Sequence, residues 1–185
     1  MKREVAMTDK MRASTKTFSA ILKNNRGAAA VEFALVAGPL IFLICACIEL
    51  AMVILLSVTL DNATEIAARN IRTGITTSAN STTTTFKQSI CNNMGWLAGS
   101  CMTNLQVDVK TFDSFALVDM TPPIVNGKFV PTAFSYTIGA GTKIQLVSAY
   151  YEWTLLTPFL NAGLATLSNN DAVITARVVF RNEPF

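Results

Sequence analysis

The feature that most constrains this chain is an apolar run from Ala28 to Leu60, whose 33 residues hold two charges, Glu32 and Glu49, and one proline, Pro39. A helix that crosses a bilayer needs about 20 apolar residues, matching a hydrocarbon core of about 30 Å. As one helix this run would extend about 50 Å, at roughly 1.5 Å per residue. The excess predicts that part of the same helix is buried against protein. Over all 185 residues, 51% are apolar and only 15% charged, with a mean hydropathy of +0.40. That profile excludes a disordered chain, and the length suits one small domain with an attached segment.

Charge is distributed unevenly around the run. Residues 1–26 carry seven basic and two acidic side chains, whereas the remainder carries eight basic and ten acidic ones. A basic segment directly before an apolar helix is the signature of the positive-inside rule, with the N-terminus held in the cytoplasm. It gives no reason to invoke a nucleic-acid partner. The run is far longer than the apolar region of a cleaved secretory signal. Ile44-Cys45-Ala46-Cys47 loosely resembles a lipobox, but the apolar run continues past it to Leu56 and favours small apolar packing for both cysteines.

Helical pattern persists beyond Leu60. Glu65 and Arg69 form a favourable i,i+4 pair. Arg69 and Arg72 complement the helix dipole near its C-terminus, and Gly74 is a natural stop. The reading is one helix over 28–73, apolar first and amphipathic last. Within it Ala30, Ala34 and Gly38 repeat every four residues, a small-residue stripe that lets helices approach closely in lipid. Pro39 removes a hydrogen bond to the carbonyl of Leu35 and favours a bend.

At the entrance to the helix stands Arg26-Gly27-Ala28-Ala29-Ala30-Val31-Glu32-Phe33. A glycine, four small or apolar residues, a glutamate and an aromatic resemble a prepilin peptidase site, which implies cleavage between Gly27 and Ala28. The chemistry is coherent. A carboxylate inside a membrane is costly and takes a partner, and cleavage would create an α-amino group at Ala28, four residues before Glu32. Such a pair, made within one subunit or across to the next, would specify how subunits stack. Glu49 lies 17 residues further on, about 25 Å along the axis. It marks either a second contact between subunits or the outer membrane interface.

The run from Arg26, Ile48-Glu49-Leu50, Asp61-Asn62-Ala63, Ala67-Ala68-Arg69 and the closing Val179-Phe180-Arg181-Asn182-Glu183-Pro184-Phe185 resemble TadE-like proteins, pseudopilins or minor pilins of the bacterial tight-adherence (Flp-type) pilus system. Gly38 before Pro39 departs from the bulkier residue expected there. The resemblance implies loss of residues 1–27 as a leader and a part in building adhesive pili for surface attachment and biofilm formation. It also implies a bacterial inner-membrane location with the C-terminal domain in the periplasm, and entry into the pilus is open. The implied partners are the prepilin peptidase, other pilins and pseudopilins, the inner-membrane assembly platform and membrane lipid. Two rival readings stay open. One is an uncleaved membrane-anchored periplasmic binding or signalling protein, the other a lipid-anchored surface domain.

Beyond the helix, residues 74–85 form a Thr/Ser-rich connector, and a short helix is expected over Thr84–Ala98. Alternating runs over 105–111, 143–153 and 172–181 predict strands, with a further short one at Phe134–Ile138. Leu155–Leu167 reads as an irregular or short helical crossover. The fold class expected is α+β, a long N-terminal membrane helix followed, over 86–185, by a small pilin-like domain with a three- or four-stranded antiparallel sheet. Four cysteines allow three connectivities. Cys45 and Cys47 point to different sides of a helix, and membrane topology favours the single bridge Cys91–Cys101 in an oxidising periplasm.

Catalysis finds little footing. The chain has no histidine, which removes histidine-dependent triads and HExxH zinc sites. Two cysteines without histidine or nearby acids do not make a metal site, no nucleotide-binding glycine motif is present, and no cofactor is expected. Asp108, Asp113 and Asp119 read as solvated surface. Tyr150, Tyr151 and Trp153 read as core packing, with an adhesive patch as the alternative. The expectation is a protein that is not an enzyme.

Overall fold

The computed structural model describes residues 27–157 and 160–185. Of the basic leader read over 1–27, residues 1–26 lie outside the described residues, as do Pro158 and Phe159. The chain divides into two compact units, Met1–Cys45 and Ala46–Phe185.

Helix α1 covers Ala28–Arg72, with Pro39 inside it and Arg69 and Arg72 in its last turn. The Gly27 carbonyl accepts the first helical hydrogen bond, from the Val31 amide at 3.1 Å. Over 29–45 nearly every side chain is exposed, Phe33, Leu35, Val36, Ile41 and Leu43 among them. Within the second unit, Leu56, Leu60, Ala63, Thr64, Ala67, Ala68 and Ile71 are buried. Their spacing of three and four residues draws one stripe along the helix.

That stripe joins a sheet of three antiparallel strands, β1 (Leu105–Phe112), β4 (Ile144–Thr154) and β5 (Asp171–Arg181), in the order β1-β4-β5. A separate hairpin pairs β2 (Ile124–Val125) with β3 (Lys128–Phe129). Alternation decides which residues enter the core. Leu105, Val107 and Val109 stand opposite Tyr151, Ala149 and Val147, which in turn face Ile174, Ala176 and Val178. Of these, the six on β1 and β4 and Ala176 are buried in one cluster with the α1 stripe, and Ile174 and Val178 pack against it. Each large apolar side chain in such a cluster contributes about 1.5–3 kcal/mol by leaving water.

β4 is buried from Ile144 to Tyr151 on both faces. The face opposite the helix is covered by Phe129 and Phe134, whose rings lie 5.7 and 5.2 Å from that of Tyr150. Gln145, fully buried, holds the segment before β4 in place. Its amide donates to the carbonyls of Lys110 and Thr137 at 2.9 and 2.7 Å, and its oxygen accepts from Gly139 at 3.0 Å. Residues 134–138 do not form a full fourth strand. They make a single parallel bridge, Val109 with Tyr136, using two backbone hydrogen bonds of 2.8 Å.

The helix expected over Thr84–Ala98 is broken in two. α2 covers Thr83–Asn92, a 3-10 turn follows at Gly95–Leu97, and α3 covers Ala98–Asn104. Thr82 caps α2 in a capping box with Thr85. Gly95 takes φ +56°, a left-handed conformation that no continuous helix contains, so the axis restarts there. A disulfide joins Cys91 on α2 to Cys101 on α3, with the Cα atoms 5.6 Å apart.

The final residues close the C-terminal end of α1. The Glu183 amide donates to the Arg72 carbonyl at 2.9 Å, satisfying one of the orphan acceptors of a helix end, and the two side chains pair at 3.4 Å. Gly74 turns the chain with φ +76°, and the Phe185 ring lies where a Cβ on Gly74 would stand, 2.6 Å away. The fold class read from the sequence holds: a long apolar N-terminal helix, then a small α+β domain with an antiparallel sheet.

Candidate functional site

The site suggested by the sequence is the front of α1. Gly27 stands at the turn just before the helix and Ala28 is its first residue. Glu32 and Phe33 are exposed on the first turns, Phe33 at 74%. Ala30 and Ala34 are exposed, and a Cβ built on Gly38 would meet no atom within 4 Å. The small-residue stripe thus borders open space, and the helix stays continuous through Pro39. Cys45 and Cys47 are free and exposed. The helix is long and apolar enough to cross a membrane by length and composition. A surface of exposed valine, leucine, isoleucine and phenylalanine extending around a whole helix is stable only in an apolar surrounding, either lipid or other apolar helices.

Glu49 has a different setting. Within the second unit it is 5% exposed, and its carboxylate accepts backbone hydrogen bonds from the amides of Leu156, at close range, and Thr157, at 2.7 Å. Both donors follow the end of β4. The two readings from sequence, a subunit contact or an interface marker, did not include this partner inside the chain. No spacing could have shown it, because residues 49 and 156 are brought together by the α1–sheet packing. The periodicity does carry a trace, since Glu49 lies seven residues before Leu56 on the same helical face.

Asp108 departs from the solvated surface expected for it. It is 5% exposed, accepts from the Ser135 amide at 2.8 Å and pairs with Lys110 at 2.7 Å. It therefore helps fasten residues 134–138 beside β1. Asp113 and Asp119 are exposed. The hydrogen bond and charge of Lys143, 2.6 Å away, hold the Asp113 carboxyl below the usual carboxylate range. Thr121 does the same for Asp119 through its hydroxyl and its amide. Tyr150 and Tyr151 are buried, and Trp153 packs against the core, so these aromatics serve the interior. Among the described residues no group of three or more cysteine, aspartate or glutamate side chains is placed to hold a metal ion. An open groove of about 520 Å³ near the end of α1 is lined by Glu65, Arg69, Arg72, Val178 and Glu183; its Arg72 and Glu183 pair with each other.

Comparison with known proteins bears on the same helix. No curated protein and no solved structure matches the chain significantly. The family model of TadE-like protein matches residues 27–69, from the turn before α1 almost to its end. Over that segment the chain is similar to TadE-like protein.

Proposed function

We propose that this protein is a non-enzymatic pseudopilin or minor pilin that takes part in assembling Tad pili, and that a prepilin peptidase cuts it between Gly27 and Ala28. The observation that carries this reading is the coincidence of two boundaries at the head of an exposed apolar helix. The family match begins at Gly27 and α1 begins at Ala28. In this reading α1 first rests in the inner membrane, N-terminus in the cytoplasm. After cleavage its exposed length packs against the helices of neighbouring pilins. The Ala28 amine made by cleavage neutralises Glu32, in the same subunit or the next, and the small stripe of Ala30, Ala34 and Gly38 sets the closeness of approach. The assembly platform and other pilins of the system are the partners, and attachment to surfaces is the outcome.

N-terminal sequencing of protein taken from native cells, with and without the peptidase, tests this. The expected mature chain begins at Ala28, and it keeps residues 1–27 when the peptidase is missing. An uncleaved chain in peptidase-containing cells supports an anchored periplasmic binding protein instead, and a lipidated Cys47 supports a lipid-anchored one.

A further inference from the structure

The contact of Glu49 with the end of β4 carries a consequence for the globular unit. We propose that the turn after β4, at Leu156 and Thr157, is a second membrane contact, held at the bilayer surface by Glu49 and immersing the Leu156 side chain among lipid headgroups and upper acyl chains.

Leu156 is 81% exposed, the highest exposure of any large apolar side chain described. A single exposed leucine needs no explanation by itself. This one is fixed, because its amide and that of Thr157 both donate to the Glu49 carboxylate. It must therefore lie level with residue 49 of α1, where the neighbouring helix side chains Ile48 and Leu50 are 59% and 43% exposed. An apolar medium around Ile48 and Leu50 thus extends to the depth at which the Leu156 amide is held. The occupant is lipid because Ile48 and Leu50 belong to the helix that is long and apolar enough to span a membrane.

The same contact accounts for an acid at that depth. A carboxylate among apolar side chains is costly unless its oxygens are satisfied. Here each oxygen takes one backbone N–H, and in return two amides at the end of a strand find acceptors. Glu49 thus lets α1 sit in lipid to about its own level while drawing the globular unit down onto the membrane surface. The inference rests on the reading of α1 as a membrane helix.

The test uses the full chain with Cys45→Ala and Cys47→Ala, reconstituted into vesicles of phosphatidylethanolamine and phosphatidylglycerol. An environment-sensitive fluorophore is attached at Leu156→Cys, Ile48→Cys or Ser78→Cys in separate samples. Quenching is read with a lipid bearing its quencher near the headgroup. The expected result is comparable loss of fluorescence at positions 48 and 156 and none at 78, with quenching at 156 falling in Glu49→Ala while 48 is unchanged. Quenching at 48 with position 156 behaving like 78 overturns the inference and leaves the membrane helix standing. No quenching at 48 overturns both. If Glu49→Ala unfolds the domain, the comparison of 48 with 156 in the chain retaining Glu49 decides alone.

Discussion

The two ends of α1 differ in their residues and meet different surroundings. Over 29–45 the side chains are exposed on every face, and over 56–71 a narrow stripe is buried while its flanks, Asp61, Glu65 and Arg69 among them, remain exposed. The difference lies in both content and periodicity: 29–45 holds a single charge, Glu32, whereas 56–71 sets Asp61, Glu65 and Arg69 opposite its apolar stripe. The front has no polar face, so no single partner surface could satisfy it; the rear has one, so a sheet can. The front is a helix awaiting apolar surroundings, and the rear is the spine of a folded domain.

Substitutions that act on one end and not the other test this division. The largest effect is expected from Leu60→Ala, which empties a fully buried position and should cost about 2–5 kcal/mol. Leu40→Ala, at a position 53% exposed, should shift the same denaturation curve by less than about 0.5 kcal/mol. Equal losses in the two variants would abolish the distinction. Next comes the bridge between α2 and α3, which closes a loop with a sequence separation of 10. Its removal by Cys91→Ala with Cys101→Ala should lower stability by about 2–3 kcal/mol, seen as a lower denaturant midpoint. Gly74→Ala should cost about 1–2 kcal/mol for the left-handed backbone alone, and more because the new Cβ strikes the Phe185 ring. Removing Phe185 in the same chain should recover the steric part, a gain read by thermal melting.

The smallest effect is electrostatic. Lys143 depresses the Asp113 carboxyl in the folded state, so its stabilisation is present above the unfolded value of about 3.9 and disappears as pH falls through the lower folded value. Both side chains are exposed, so the benefit is slight. Melting temperatures of Asp113→Asn and the parent chain should differ slightly at neutral pH and converge in acid.

Much of this was legible because it is periodic. The extent of α1 follows from composition, and the three sheet strands follow from alternation that puts Val107 and Val109 on one face and Lys110 on the other. The break at Gly95 was missed because Phe86, Ile90 and Leu97 continue a helical spacing across it, and only the backbone at Gly95 interrupts it. Asp108 was missed because its partner, the Ser135 amide, comes from a segment 27 residues away. Glu49 is the same case at greater range. An acid within an apolar run signals that some partner exists, but the backbone amides that provide it carry no side-chain signature.

The claim on which the rest depends is that the exposed front of α1 is to be covered by neighbouring helices in a register set by Glu32. Its most direct measurement is the number of pili on cells carrying Glu32→Ala, taken together with the amount of mature chain in the membrane. The account predicts a normally processed chain in normal amount and a marked loss of pili. Wild-type pilus number with the alanine variant in place would contradict it.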